Sequence, residues 1–136
     1  YQERLEQLWS NNHSAQDKIL SYFDAWIYDE NIQCGWAETC LIVKLAAEVS
    51  DLSEDMRLIM DAGTKWLVAK IAHLLEQGTQ EGSVHIQAQA SDVAQVIYQM
   101  WLGAALLSKL QKDKTPLQQA MQATKFMLNR NFKFGE

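Results

Sequence analysis

Proline occurs once, cysteine twice, histidine three times and glycine six times in 136 residues. A single proline leaves few places where a helix must break. Six glycines and 21% charged residues exclude collagen-like, low-complexity and disordered chains, and two cysteines are too few for a disulfide scaffold. Long apolar runs are missing as well. The longest, residues 96–107, has twelve positions and is interrupted by Gln99, whereas crossing a bilayer takes roughly twenty. We therefore expect no transmembrane segment and no membrane partner. No charged-then-apolar leader opens the chain, and with this cysteine usage a reducing cytoplasm is the expected location.

Positive charge is also scarce. The formal net charge is −5, made up of −5 over residues 1–50, −3 over 51–89 and +3 over 90–136. Lys109, Lys112, Lys114, Lys125, Arg130 and Lys133 are spread along the last two helical segments without interleaved aromatics, and read as solvated faces and helix ends. No nucleic-acid surface is expected on this chain itself.

What is present is 48% hydrophobic residues in a helix-forming composition, which points to one all-α domain over residues 1–136. Residues 1–10 read as the tail of a helix arriving from a preceding segment. Tyr1 opens the chain without Met, so the chain is expected to be a fragment. Asn11 and Asn12 stop that helix, and Ser14 caps a second with Ile19, Tyr22, Phe23, Trp26 and Ile27 on one stripe, ending near Glu30. A third is expected from Ala37 to Val49. A fourth, capped by Asp51 or Ser53, carries Met56, Ile59, Met60, Gly63, Trp66, Leu67, Ile71, Leu74, Leu75 and Gly78 on one stripe and ends before Gly82. Val84, Ile86 and Ala88 alternate, but the segment is too short and solitary for a sheet and reads as a loop.

Ser91 is expected to cap a fifth helix, and Thr115 with Gln118 to form a capping box around Pro116 for a sixth that runs to Asn129. The fifth is apolar almost all round, which implies burial on more than one side. We expect a homodimer in which the last two helices of each subunit form a four-helix bundle. The candidate contacts are Val96, Met100, Gly103, Ala104 and Leu107 on the fifth helix and Leu117, Met121 and Leu128 on the sixth.

Little in the chain resembles an enzyme. There is no nucleophile elbow, phosphate-binding glycine loop or zinc-ligand spacing. His13, His73 and His85 are scattered, and Asp51, Glu54, Asp55 and Asp61 cluster where a helix start favours negative charge. We expect no enzymatic activity, no metal and no cofactor. Cys40, placed in the first turn of the third helix with Lys44 one turn later, sits where a thiolate is favoured, although position alone favours a small buried hydrophobe there. Cys34, in the preceding loop, reads as a free thiol. Tyr22, Trp26, Trp36, Trp66, Tyr98 and Trp101 read as core residues that also line a pocket between helices.

The run Cys40–Arg57, CLIVKLAAEVSDLSEDMR, resembles the stretch that opens the effector domain of the TetR family of transcriptional repressors, in its N-ethylmaleimide reductase repressor branch. Residues 95–109, QVIYQMWLGAALLSK, are similar to that branch's first dimerisation helix, and the segment after Thr115 to its final helix. The resemblance covers Tyr1 to about Leu128. It implies a dimer holding a small-molecule or electrophile effector, with DNA read by a helix-turn-helix domain that precedes this segment. It also implies that Cys40 senses electrophiles or oxidants and that Lys109 stabilises its anion or traps its oxidised sulfur. Ser50 stands where a relative carries another cysteine, and Cys34 is an addition. Two other readings stay open: a TetR-like regulator that binds an apolar molecule reversibly in an aromatic-lined pocket, and a stand-alone helical adaptor.

Overall fold

The computed structural model describes residues 1–11 and 13–135, so Asn12 lies outside the described residues. Six helices follow one another: α1 (Gln2–Trp9), α2 (Ala15–Ile27), α3 (Leu41–Leu52), α4 (Glu54–Glu81), α5 (Ala90–Gln111) and α6 (Thr115–Asn129). A 3-10 turn, Trp36–Thr39, precedes α3. The all-α expectation is met, and the β contacts described are two isolated bridges, Asp29 with Cys34 and Ile86 with Phe132.

The centre of the core is α2, which packs on α4 and α6, while α5 packs on α4 and α6 in turn. Ile19, Tyr22, Phe23 and Trp26 are buried on the stripe read from the sequence. The Phe23 ring stacks on Trp101 of α5 at 4.6 Å. Trp101 Nε1 donates to Thr124 Oγ1 of α6 at 2.9 Å, and that hydroxyl donates to the Ala120 carbonyl at 2.7 Å. Thr124, the one buried polar residue among the described residues, is thus fully paired, which removes the penalty of an orphaned hydroxyl.

Two expected caps form: Ser14 Oγ accepts the Asp17 N–H at 3.1 Å and Ser53 Oγ the Met56 N–H at 3.3 Å. Gly82, at φ 87°, ends α4 in the left-handed conformation that glycine adopts without strain. Other boundaries differ. The second helix stops at Ile27, because Tyr28 turns to an extended backbone. Asp51 lies inside α3, which runs on to Leu52. Ser91 lies inside α5, which begins at Ala90 without a side-chain cap. The capping box between Thr115 and Gln118 is absent, because the Asp113 carboxylate takes both the Thr115 N–H (2.9 Å) and its hydroxyl (2.7 Å).

The loop after α4 folds back on the helix that precedes it. The Gly78 carbonyl accepts from Ser83 N–H at 2.8 Å and Val84 N–H at 3.0 Å, and a Cβ on Gly78 would come within 2.3 Å of the Val84 side chain. His85 and Gln87 N–H groups then donate to the Leu128 and Phe132 carbonyls, each at 2.7 Å, which ties the loop to the end of α6. The alternation of Val84 and Ile86 therefore reflects docking on a helix end.

The α4 stripe is only half used. Leu67, Ile71, Leu74, Leu75 and Gly78 are buried, but Met56 and Ile59 are exposed, Ile59 by 68%. Helix α3 buries no residue, and Leu41, Leu45 and Leu52 face outward.

Candidate functional site

The turn before α3 is shaped by Asp29 and Glu38 on either side of it and by the end of α2. Asp29 accepts the Trp36 indole N–H at 2.6 Å and the Asn31 N–H at 2.9 Å, and the Asp29 N–H donates to the Cys34 carbonyl at 2.9 Å. The indole donor, with Asn31 adding to it, holds the Asp29 carboxyl below the usual carboxylate range. Gly35 lets this turn press on the end of α2: a Cβ there would lie 2.3 Å from the Trp26 carbonyl oxygen and 2.4 Å from that of Ile27. Glu38 Oε2 accepts the Gly35 N–H at 2.7 Å and closes the turn.

This arrangement moves Cys40 from its expected place. It is not in the first turn of a helix starting at Ala37; it stands at the junction of the 3-10 turn and α3 in an extended conformation (φ −69°, ψ 116°), and its carbonyl accepts the Lys44 N–H at 3.1 Å. It therefore precedes the helix, and it forms part of the wall of a cavity of about 430 Å³.

The rest of that wall comes from α1, α2, the 3-10 turn, the start of α3, α4 and α5. Trp26, Trp36, Trp66 and Tyr98, all expected in a pocket, line it. Trp101 and Tyr22 do not: the first is consumed by Phe23 and Thr124, and the second is buried among Trp9, Phe23, Trp26 and Trp36. Trp66, half-buried, carries the Lys70 ammonium 5.6 Å from its ring centre.

The sequence reading missed Tyr1, Arg4, Met60 and Thr64, which also line the cavity. Met60 and Leu67 belong to the apolar stripe of α4, and Thr64 falls between them at helical spacing. Arg4 lies 5.1 Å over the Trp36 ring. Tyr1 is 53% exposed, yet its hydroxyl bonds that of the fully buried Tyr22. Burial of that end pushes the Tyr1 phenol up to about 12, with the Tyr22 bond opposing the rise. Trp26 Nε1 lies near these two hydroxyls without hydrogen-bond geometry to either, and is sealed and unpartnered.

Lys109 is not on this wall. It lines a separate cavity of about 480 Å³ with Lys112, Lys114, Glu38 and Asp113, and its ammonium faces the Glu38 carbonyl at 3.5 Å. Cys34, half-buried, and Cys40 are both free thiols. No cluster of three metal-ligating side chains occurs among the described residues.

The expected dimer contacts divide in two. Ala104, Leu117, Met121 and Leu128 are buried within their own chain, where they pack α5 and α6 into the core, so they are not available to a partner. Val96, Met100, Gly103 and Leu107 are half-buried or exposed on one face of α5, and Leu110 extends their i, i+4, i+7 spacing. On α6, Phe126 is exposed beside the half-buried Ala123.

Residues 15–124 match the family model described as tetracyclin repressor-like, C-terminal domain. The chain is 38% identical over 126 residues to the HTH-type transcriptional repressor NemR of Escherichia coli strain K12, covering 92% of this chain and 63% of that protein. Thus it spans less than two thirds of the curated relatives it matches. Its fold superposes on a crystal structure of a TetR/AcrR family transcriptional regulator with a TM-score of 0.84 at 55% identity, covering 95% of this chain and 66% of that one. It superposes on reduced E. coli NemR with a TM-score of 0.79 at 36% identity, covering 93% and 65%. The chain belongs to the tetracyclin repressor-like C-terminal domain family, that of the TetR transcriptional regulators.

Proposed function

We propose that this chain is the effector-sensing and dimerising part of a cytoplasmic TetR-like repressor, a regulator and not an enzyme, which is released from DNA when an electrophile or oxidant modifies Cys40. DNA is read in this proposal by a segment outside the 136 residues. The observation that carries it is the position of Cys40 on the wall of an aromatic cavity whose other walls come from α1, α2, the 3-10 turn, α3, α4 and α5. A modification there presses on all of them at once. Displacement of α1 or α4 by such a modification is then felt at the far end of each helix, which supplies the coupling between effector and DNA that a repressor requires.

Lys109 has a narrower part in this reading. Its ammonium lies against the carbonyl two residues before Cys40, although it opens on the neighbouring cavity.

The test is selective labelling. In the full-length protein at neutral pH, Cys40 is expected to alkylate faster than Cys34, Cys40→Ser to abolish derepression, and Lys109→Met to slow the Cys40 reaction. Equal labelling of both thiols with normal derepression in Cys40→Ser removes the proposal. The second reading, reversible capture of an apolar molecule, is favoured by the same tryptophan-lined walls. Mass analysis after denaturation separates the two: an increment on Cys40 marks covalent sensing, and its absence with retained regulation marks reversible binding.

A further inference from the structure

Tyr98 projects from α5 into the same cavity as Cys40 and is only 5% exposed. Its hydroxyl has no hydrogen-bond partner among the described residues. The buried polar atoms that are both sealed and unpartnered are Trp26 Nε1 and Ser108 Oγ. The Tyr98 hydroxyl is not one of them, so it is not sealed, and the residue that carries it lines the cavity. A phenol without a protein partner beside a cavity is free to donate to a ligand acceptor.

The surroundings fix which form it takes. Burial, then the neighbouring Cys40 and Tyr1, push the Tyr98 phenol up, so at neutral pH it is an O–H donor. Cys40 and Tyr98 line one and the same cavity, so thiol and phenol can meet one ligand. The other hydroxyls of the wall are committed: Thr64 Oγ1 donates to the Asp61 carbonyl at 2.9 Å, Thr39 Oγ1 to that of Trp36 at 3.3 Å, and Tyr1 is paired with Tyr22. The indoles of Trp26, Trp36 and Trp66 make the rest of the lining largely aromatic.

We propose that Tyr98 selects conjugated carbonyl compounds for Cys40, donating its O–H to the carbonyl oxygen of an α,β-unsaturated carbonyl while the sulfur adds to the β-carbon. This rests on the reading of Cys40 as the sensing nucleophile. The thiol loses its proton to water and the S–C bond forms. The electron pair of the C=C bond moves toward the carbonyl oxygen, where the developing enolate is held by the Tyr98 hydroxyl. The α-carbon then takes a proton from water, so the thiol has added across the double bond without any oxidant or reductant. A donor placed where charge develops only during the reaction accelerates it without tightening ground-state binding.

The experiment compares two alkylating probes on the full-length protein. Cys40 modification by 2-cyclohexenone, which develops an enolate, and by iodoacetamide, which expels iodide and leaves its carbonyl unchanged, is followed by peptide mass in the unaltered protein and in Tyr98→Phe. Tyr98→Phe is expected to slow the cyclohexenone reaction about a hundredfold or more, a typical loss for one donor at a developing charge, and to leave the iodoacetamide rate within about twofold. Since phenylalanine keeps the ring, the iodoacetamide rate also reports whether the cavity wall survives. Equal slowing of both probes, or of neither, overturns the role of Tyr98 alone. If Cys40 of the unaltered protein reacts with cyclohexenone no faster than Cys34, the sensing role of Cys40 falls, and the role of Tyr98 with it.

Discussion

Cys40 owes its position to neighbours that have no reactive chemistry of their own. Gly35 is the tightest of these, because the carbonyls of Trp26 and Ile27 occupy the place a side chain would need. Its φ of −84° is open to any residue, so the requirement is one of space and not of conformational freedom. We expect Gly35→Ala to destabilise the protein by about 1–3 kcal/mol, the usual cost of overpacking, since backbone on both sides resists the shift. Urea unfolding checks this, and an unchanged midpoint would show that the turn rides free of α2. The sequence displayed a glycine next to Cys34 but not what it packs on. In the same way it showed Asp29 and Trp36 as an acid and an aromatic seven residues apart, and only the fold makes them a hydrogen-bonded pair. The residues of the site that were legible were those whose type alone suffices: a cysteine near a helix start and a set of tryptophans.

At the scale of elements, periodicity located every helix, because the apolar stripes of α2, α4, α5 and α6 are long and regular. Ends were less legible, since competing caps sit within a few residues of each other and local geometry decides between them. Asp113 displaced the Thr115 box because an Asx-type bond satisfies the same N–H at shorter range. Nor did the α4 stripe disclose that its first half lies outside the core, because a stripe states which face is apolar and not what covers it. The joint between α4 and the following loop depends on a bare backbone at Gly78, against which the buried Val84 rests. Gly78→Ala would gain helix propensity of about 1 kcal/mol, yet the new methyl group would overlap a β-branched side chain that has few rotamers to retreat to. The clash is expected to win, with a net loss of about 1–2 kcal/mol. Thermal unfolding decides the sign, and a higher Tm for the variant would mean that the loop yields at no cost.

The molecule as a whole is more open than its size requires. A compact monomer of 15.6 kDa exposes roughly 7,200 Å², whereas this chain exposes 8292 Å². The excess of about 1,000 Å² is close to what one partner contributes to a standard interface, about 800 Å². Two apolar regions compete to account for it: the outer face of α3 with the start of α4, and the stripe Val96, Met100, Gly103, Leu107 and Leu110 on α5. The second is the better self-pairing surface. Its residues keep helical register over four turns, Leu110 is 72% exposed, and a Cβ on Gly103 would meet nothing within 4 Å, so a second helix can approach its backbone without obstruction. A charge buried at such a seam without a partner is costly enough to separate subunits. We therefore expect Leu107→Glu to convert a dimeric full-length protein to monomers in sedimentation at micromolar concentration. The same substitution at Leu52, equally apolar and outward-facing but on α3, should leave the dimer intact. If instead Leu52→Glu dissociates the protein and Leu107→Glu does not, self-association runs through α3, and the cavity beside Cys40 lies at the subunit boundary rather than inside one subunit.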